Sequence, residues 1–173
     1  SVVQATADPN LEITGISYDS RTTRPGDLFV AISGFAADGH RFIPAARKAG
    51  AVAVLCEKAP KEAGSYLVTE SSRTALAQIS ANWFGHPADE MTMIGVTGTN
   101  GKTTVTYLLK TVLEQTMGAK VGLIGTIQNM IGDEILHTER TTPESYELQQ
   151  LFRQMKDAGC THVIMEVSSH ALV

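Results

Sequence analysis

Short apolar runs alternate with amphipathic stretches along the chain, and this alternation predicts its secondary structure. Runs rich in β-branched residues predict strands over residues 13–19, 27–32, 51–57, 65–69, 91–98, 119–127 and 161–167. Apolar positions that recur every three to four residues predict helices over 42–49, 71–84, 102–117 and 143–158, and a glycine follows each of them. Strands that alternate with helices predict an α/β fold with mostly parallel sheets.

Two of the predicted helices carry a clear apolar stripe, which we expect to face the core. In the helix over 102–117 the stripe consists of Val105, Leu108, Leu109, Val112 and Leu113. In the helix over 143–158 it consists of Leu148, Leu151, Phe152 and Met155.

A polar, proline-containing segment at residues 86–90 predicts a domain boundary. It divides the chain into a first domain over 1–88 and a second over 89–173. Two extended runs within 126–140, on either side of a Gly-Asp pair, predict a β-hairpin inserted into the second domain. The chain stops soon after the strand over 161–167, so we expect an incomplete parallel sheet and a fragment of a longer protein.

Composition and charge narrow the class of protein. The 173 residues include 14 Lys and Arg against 18 Asp and Glu, for a net charge of −4, which argues against nucleic-acid binding through bulk charge. No apolar run is long enough for a membrane span, and the N-terminus lacks the pattern of a signal peptide, so we expect a cytoplasmic protein without membrane contact. Cys56 and Cys160 lie in or beside apolar runs and predict buried thiols, not a disulfide framework.

The strongest chemical signal is a glycine-rich loop between a strand and a helix. Residues 93–109 read MIGVTGTNGKTTVTYLL. In such a loop backbone N–H groups approach a polyphosphate, Lys102 reaches the β- and γ-phosphates, and the Thr103 hydroxyl is placed to bind Mg²⁺. The predicted nucleotide-binding residues are Gly98, Thr99, Asn100, Gly101, Lys102, Thr103 and Thr104.

The loop departs from the usual G-x-x-x-x-G-K-[ST] pattern, because Val96 stands where the first glycine is expected and Gly95 comes one residue early. This departure disfavours the common kinase and GTPase branches. The competing interpretation is a glycine-rich turn with an incidental lysine.

A second candidate site residue ends the last predicted strand. Glu166 follows Val163, Ile164 and Met165, and a carboxylate in such a run is costly to bury without a partner. We therefore favour a metal-binding role for it over a capped or solvent-facing glutamate. Ser168, Ser169 and His170 follow at the strand's carboxyl end, where ligands bind in open α/β sheets. A serine hydrolase is disfavoured because no base is identifiable.

The segment RTTPE at 140–144 has two interpretations of equal weight. Thr142 as N-cap, Pro143 at the first helical position and Glu144 in the first turn make an ordinary helix start. Two adjacent hydroxyls, of Thr141 and Thr142, also suit an anion or carbonyl at that helix N-terminus.

These motifs together resemble one family. VTGTNGKTT, TTPE and MEVSSHAL, in this order, with YDSRTTRPGDLFVAISGFAADGHRFIPAARKAGAVAV upstream, are similar to the Mur ligases. The resemblance extends over nearly the whole chain. It is strongest to the members that add the third amino acid of the peptidoglycan stem peptide. The sibling that adds D-alanyl-D-alanine shares the pattern of the first domain but usually differs in the loop after Gly98.

The resemblance implies a fold and a set of roles. It implies a small α/β UDP-binding domain, then an incomplete P-loop-type ATPase domain, with the amino-acid-binding C-terminal domain absent from this chain. Lys102 and Glu166 would be catalytic, and Thr103 and Glu166 would serve Mg²⁺. The residues implied to contact the UDP-sugar peptide are Ser20, Thr141, Thr142 and Ser168, together with the segment 35–37.

The implied activity is ATP-dependent formation of an amide bond through an acyl phosphate. The acceptor would be UDP-N-acetylmuramoyl-L-alanyl-D-glutamate, the amine L-lysine or meso-diaminopimelate, and the protein a monomer. Because much of the catalytic machinery would lie beyond Val173, we expect this chain to be inactive alone. The alternatives are a non-catalytic UDP-sugar or nucleotide-binding module, the D-Ala-D-Ala-adding ligase, and another P-loop enzyme such as a small-molecule kinase.

Overall fold

A computed structural model describes residues 2–34, 38–136 and 143–168 of the chain. The chain divides into two compact units, Ser1–Ser80 and Ala81–Val173. Each unit contains a five-stranded sheet with parallel strands, which confirms the predicted α/β class. Among the residues that the structure describes, no helix has the length and apolar character needed to cross a bilayer.

The sheet of the first unit has the order β1-β5-β4-β3-β2. Its strands are β1 (Val2–Ala5), β2 (Gly15–Ser17), β3 (Asp27–Val30), β4 (Ala53–Cys56) and β5 (Tyr66–Thr69). Strands β2 to β5 are mutually parallel, and their connections include helix α1 (Ile43–Lys48). Every residue of β3 and β4 is buried, as expected of central strands covered on both faces. Helix α2 (Ser72–Trp83) follows β5 and buries Leu76 completely.

Strand β1 was not predicted from the sequence. It pairs antiparallel with β5, and all of its residues are exposed. An edge strand without a buried face shows no alternation of apolar and polar positions, so hydrophobic patterning gives no signal for it. Only the backbone pairing with β5 identifies this segment as a strand.

The sheet of the second unit has the order β6-β10-β7-β8-β9. Its strands are β6 (Thr92–Val96), β7 (Val121–Ile124), β8 (Asn129–Ile131), β9 (Glu134–Leu136) and β10 (His162–Glu166). Strand β10 lies between β6 and β7 and is parallel to both, while β8 and β9 continue the sheet antiparallel around the turn at Gly132 and Asp133. Helix α3 (Lys102–Met117) follows β6, and α4 (Ser145–Asp157) precedes β10.

The predicted stripe on α4 is confirmed as a core face. Leu151, Phe152 and Met155 are buried against strands of the sheet, and Leu148 packs at the border of the same cluster. The helix begins at Ser145, with Glu144 as its N-cap residue, so the predicted start at Pro143 was two residues early. Thr142 lies outside the described residues.

The prediction that the apolar stripe of α3 faces the core was wrong for three of its five residues. Val105, Leu108 and Val112 are 43%, 60% and 52% exposed. The face of α3 that is buried instead contains Thr106 and Lys110. The Lys110 ammonium pairs with Glu114 at 2.8 Å and with Asp133, in the β8–β9 turn, at 3.5 Å. A lysine that pairs with carboxylates can therefore occupy a buried position. The periodicity of apolar residues identifies which residues share a helix face, but it does not tell which face packs on the sheet.

The predicted buried thiols are confirmed. Cys56 and Cys160 are both free and buried, in separate units of the chain. Burial raises the pKa of both thiols above the ordinary cysteine value, because a thiolate would lose solvation there.

Glu57, just after β4, connects three parts of the first unit. Its Oε1 accepts hydrogen bonds of 2.9 Å from the backbone N–H and from the hydroxyl of Ser72, the first residue of α2. Its Oε2 accepts one of 2.8 Å from the Ser33 hydroxyl. Burial acts to raise the pKa of Glu57, but these hydrogen bonds outweigh it and hold the pKa below the ordinary glutamate value.

We expect Glu57→Gln to lose about 1 kcal/mol of unfolding free energy at neutral pH, since charge-assisted hydrogen bonds become neutral ones. The folded-state pKa is depressed, so this stabilisation is present above the ordinary glutamate pKa and is lost as the pH falls through the lower folded-state value. Urea unfolding at several pH values should show a shallower loss of stability on acidification in Glu57→Gln than in the parent chain. Glu62→Gln, at an exposed position, is the control. Parallel pH profiles for Glu57→Gln and the parent would contradict this role.

Candidate functional site

The loop after β6 is shaped by two glycines in conformations that other residues avoid. Gly98 has φ = 140°, and Gly101, the N-cap residue of α3, has φ = 79°. A Cβ at Gly101 would meet no atom within 4 Å, so backbone conformation, not crowding, requires glycine there. The first turn of α3 contains no acidic residue that would compete for an anion at the helix N-terminus.

Lys102, the first residue of α3, turns its side chain back over this loop. Its Nζ donates a hydrogen bond of 2.8 Å to the carbonyl oxygen of Gly98. The lysine is half-buried, while Thr99 and Asn100 in the loop are exposed. The ammonium group is thus held beside the glycine-rich loop, where it can exchange a carbonyl oxygen for a stronger anionic acceptor.

The two threonines after Lys102 differ in their surroundings. Thr103 is half-buried, and its carbonyl oxygen accepts a 2.8 Å hydrogen bond from the hydroxyl of buried Thr106. Thr104 is exposed. This hydrogen bond satisfies the hydroxyl of Thr106, which is buried in the first turns of α3.

Glu166 ends β10 beside the start of this loop. It lies opposite Val96, the last residue of β6, and the backbone N–H of Val167 donates to the Val96 carbonyl oxygen at 2.9 Å. The carboxyl ends of parallel strands meet at one edge of a sheet, so Glu166 and the glycine-rich loop share that edge.

The Glu166 carboxylate has one satisfied and one unsatisfied oxygen. Its Oε2 accepts a 3.0 Å hydrogen bond from the Thr126 hydroxyl. Its Oε1 is buried and has no hydrogen-bond partner within the described part of the chain. A buried carboxylate oxygen without a partner among these residues is a candidate for interaction with a ligand. It can accept a proton donor or bind a cation.

The structure describes only part of the predicted substrate-binding set. Ser168 is exposed and comes two residues after Glu166, at the same edge of the sheet. Thr141 and Thr142 lie outside the described residues, as do the segment 35–37 and His170. Within 2–34, 38–136 and 143–168 no three His, Cys, Asp or Glu residues form a cluster able to hold a metal ion.

Ser20 lies in the first unit, in a turn that follows β2. Asp19 shapes this turn by accepting the backbone N–H of Arg21 at 2.9 Å and pairing with its guanidinium at 2.6 Å. The Asp19 carbonyl oxygen accepts the hydroxyls of Thr22 and Thr23 at 3.0 and 3.1 Å. The neighbours of Ser20 therefore fix its backbone, and the serine itself is half-buried.

The sequence interpretation missed Thr126, and it missed the hydrogen-bonded pair of His40 and Asp38 in the first unit. Thr126 follows β7 at the carboxyl end of a parallel strand, a position where polar residues signal a site. His40 Nε2 accepts the backbone N–H of Glu57 at 2.9 Å, so Nδ1 carries the proton that bonds Asp38 at 2.6 Å. Hydrogen bonds from the His40 backbone and ring lower the pKa of Asp38. This pair had no recognisable pattern in the sequence.

Comparison with protein-family models identifies both parts of the chain. Residues 12–87 match the model described as the Mur ligase family, catalytic domain, and residues 96–173 match the Mur ligase middle domain. A relative from Caldanaerobacter subterraneus, named UDP-N-acetylmuramoyl-L-alanyl-D-glutamate--2,6-diaminopimelate ligase, is 50% identical over 167 residues. That match covers 95% of this chain and 34% of the relative, so the chain spans about a third of the relative's length.

Solved structures of the same kind share the fold. A structure of a UDP-N-acetylmuramoyl-L-alanyl-D-glutamate--2,6-diaminopimelate ligase is 29% identical, with a TM-score of 0.80, over 92% of this chain and 33% of that protein. The MurF ligase from Thermotoga maritima in complex with ADP is 26% identical, with a TM-score of 0.60, over 94% of this chain and 34% of that protein. The higher TM-score thus belongs to the diaminopimelate ligase.

Proposed function

Because the chain belongs to the Mur ligase family, we propose that the complete protein is an ATP-dependent ligase acting on UDP-N-acetylmuramoyl-L-alanyl-D-glutamate. The relative that shares half of its residues is named for 2,6-diaminopimelate as the added amino acid, which favours meso-diaminopimelate over L-lysine. The enzyme would join an amine of this diamino acid to the D-glutamate carboxyl group. Residues 1–88 would bind the UDP end of the substrate, and 89–173 would form the first part of the ATP-binding domain.

The observation that carries this proposal is the placement of Glu166 beside the glycine-rich loop. Lys102 and Thr103 follow β6, and Glu166 ends the adjacent parallel strand β10. This arrangement brings the glycine-rich loop to the same edge of the sheet as a carboxylate oxygen that has no hydrogen-bond partner among the described residues. An anionic polyphosphate with a divalent cation would satisfy both.

In the proposed reaction the D-glutamate carboxylate attacks the γ-phosphorus of ATP, and ADP leaves. The product of this step is an acyl phosphate on the substrate. An amine of the diamino acid then attacks the activated carbonyl carbon, loses a proton, and expels inorganic phosphate. Lys102 and the backbone N–H groups of 98–104 would hold the phosphates in line and stabilise the negative charge during transfer.

The residues at this edge fit a magnesium ion. The Thr103 hydroxyl and Glu166 Oε1, which has no partner among the described residues, are hard oxygen donors. Mg²⁺ commonly combines such ligands with phosphate oxygens and water. When bound, the ion would neutralise charge on the transferred phosphoryl group. Ser20, Thr141, Thr142 and Ser168 are proposed as contacts to the UDP-sugar peptide.

The proposal is tested with the complete gene product, ATP, Mg²⁺ and the UDP-sugar dipeptide. We expect phosphate release and a product of the mass of the diaminopimelate adduct, with meso-diaminopimelate preferred over L-lysine. If a product forms only with L-lysine, then L-lysine and not meso-diaminopimelate is the amino acid that the enzyme adds. A phosphorylated substrate formed without any amine requirement would instead indicate a kinase, and UDP-sugar binding without phosphate release would indicate a binding module.

A further inference from the structure

Thr126 is the one residue within the described chain that bonds the Glu166 side chain. Thr126 is exposed and comes two residues after the end of β7, and its hydroxyl donates to Glu166 Oε2 across 40 positions of sequence. We propose that Thr126 is a positioning residue, which orients the Glu166 carboxylate so that Oε1 stays available to the divalent cation of a bound nucleotide. The inference rests on the proposed function of this site.

The distribution of hydrogen bonds on the carboxylate supports this role. Where a carboxylate only stabilises a fold, both oxygens are ordinarily satisfied, as they are in Glu57 of the first unit. In Glu166 the hydrogen bond reaches one oxygen, and the other is buried without a partner among the described residues. Thr126 therefore fixes the rotation of the carboxylate without occupying its second oxygen.

The backbone that carries Thr126 is itself held in place beside this second oxygen. The N–H of Gly125 donates to Asn129 Oδ1 at 3.3 Å, and Asn129 is buried at the start of β8. A Cβ at position 125 would lie 3.1 Å from Glu166 Oε1, closer than ordinary van der Waals contact. Glycine thus avoids a close contact with Oε1, and the Asn129 hydrogen bond helps to hold this segment in place.

The test measures cation binding directly with Mn²⁺ and ADP on the complete gene product. The free Mn²⁺ is followed by electron paramagnetic resonance during titration. In Thr126→Val, which removes the hydroxyl and keeps the shape, we expect Mn²⁺ affinity in the presence of ADP to fall by about 3- to 20-fold. Thr126→Ser, which keeps the hydroxyl, should bind Mn²⁺ within about 2-fold of the parent.

Two further variants separate positioning from a structural effect. Thr116→Val makes the same change at an exposed threonine whose hydroxyl bonds the Val112 carbonyl oxygen within α3, and it should leave Mn²⁺ binding unchanged. In a Glu166→Gln background, adding Thr126→Val should change Mn²⁺ affinity by less than about 2-fold, because the carboxylate to be oriented is gone.

The outcomes distinguish this inference from the proposed function. If the parent protein binds neither Mn²⁺ nor ADP, both the positioning role and the proposed function are overturned. Two outcomes would overturn the positioning role alone, given normal binding in the parent. One is an unchanged Mn²⁺ affinity in Thr126→Val. The other is that Thr126→Val lowers Mn²⁺ affinity equally in the parent and in the Glu166→Gln background. In Thr126→Val, the ADP affinity without metal and the thermal midpoint of unfolding should both match those of the parent protein.

Discussion

Lys102→Ala in the complete enzyme is expected to lower kcat by about a hundred- to a thousandfold. The ammonium group has one hydrogen bond within the described residues, to the loop carbonyl of Gly98 at 2.8 Å, and can turn to a phosphate when nucleotide binds. In the proposed reaction this positive charge lies where negative charge develops during phosphoryl transfer, so its removal should slow that step. Because the side chain has no other bond to replace, the unfolding free energy should change by less than about 1 kcal/mol.

The measurement is phosphate release at saturating substrates, with thermal unfolding followed in parallel. Lys61→Ala removes an exposed lysine from the first unit and should retain full activity. Lys102→Arg keeps the charge but replaces the compact ammonium with a planar fork, and we expect it to recover only a small part of the loss. A Lys102→Ala enzyme that kept more than a tenth of the parent activity would refute the assignment of the loop.

Glu166→Gln is expected to reduce kcat by a similar factor and to leave the unfolding free energy unchanged or slightly higher. Oε1 of this carboxylate is buried and has no hydrogen-bond partner among the described residues, so no hydrogen bond of this oxygen to them is lost when the charge is removed. Glutamine has nearly the same shape and keeps an oxygen that can accept the Thr126 hydroxyl, while it removes the charge. A ligand-binding role therefore predicts no loss of unfolding free energy in Glu166→Gln, whereas a structural role predicts a clear loss.

The experiment combines kcat, measured over a range of Mg²⁺ concentrations, with urea unfolding in the absence of nucleotide. Glu134→Gln is the matched control, since Glu134 is an exposed glutamate on β9 of the same sheet. Glu166→Gln should be slow at every Mg²⁺ concentration, whereas Glu134→Gln should behave like the parent. A clear loss of stability together with near-normal turnover would assign Glu166 to the fold.

Local signals in the sequence were sufficient for much of this fold. The strands around Val54 and Ile164 and the apolar face of α4 were predicted because burial imposes period-two, continuous or period-3.6 patterns on neighbouring residues. Gly118 ends α3 in the left-handed conformation, with φ = 62°, because glycine alone adopts it without strain. The glycine-rich loop was predicted from consecutive residues, and its Gly98 and Gly101 do adopt positive φ values.

Other features depend on residues that are distant in sequence. Strand β1 exists through its pairing with β5, and the exposed side of α3 is decided by how that helix packs on the sheet. The Glu57 network joins Ser33, Ser72 and the end of β4, which no spacing rule connects.

By itself, the sequence determined the α/β class, the glycine-rich loop between a strand and a helix, and the family, because each is encoded in short runs of residues. The tertiary structure decided which candidate groups meet. It placed Glu166 next to the loop through the β6-β10-β7 strand order. It also set Thr126 on one carboxylate oxygen, while the other has no partner among the described residues. Strand order and side-chain rotation follow from packing over the whole unit, so no local pattern contains them.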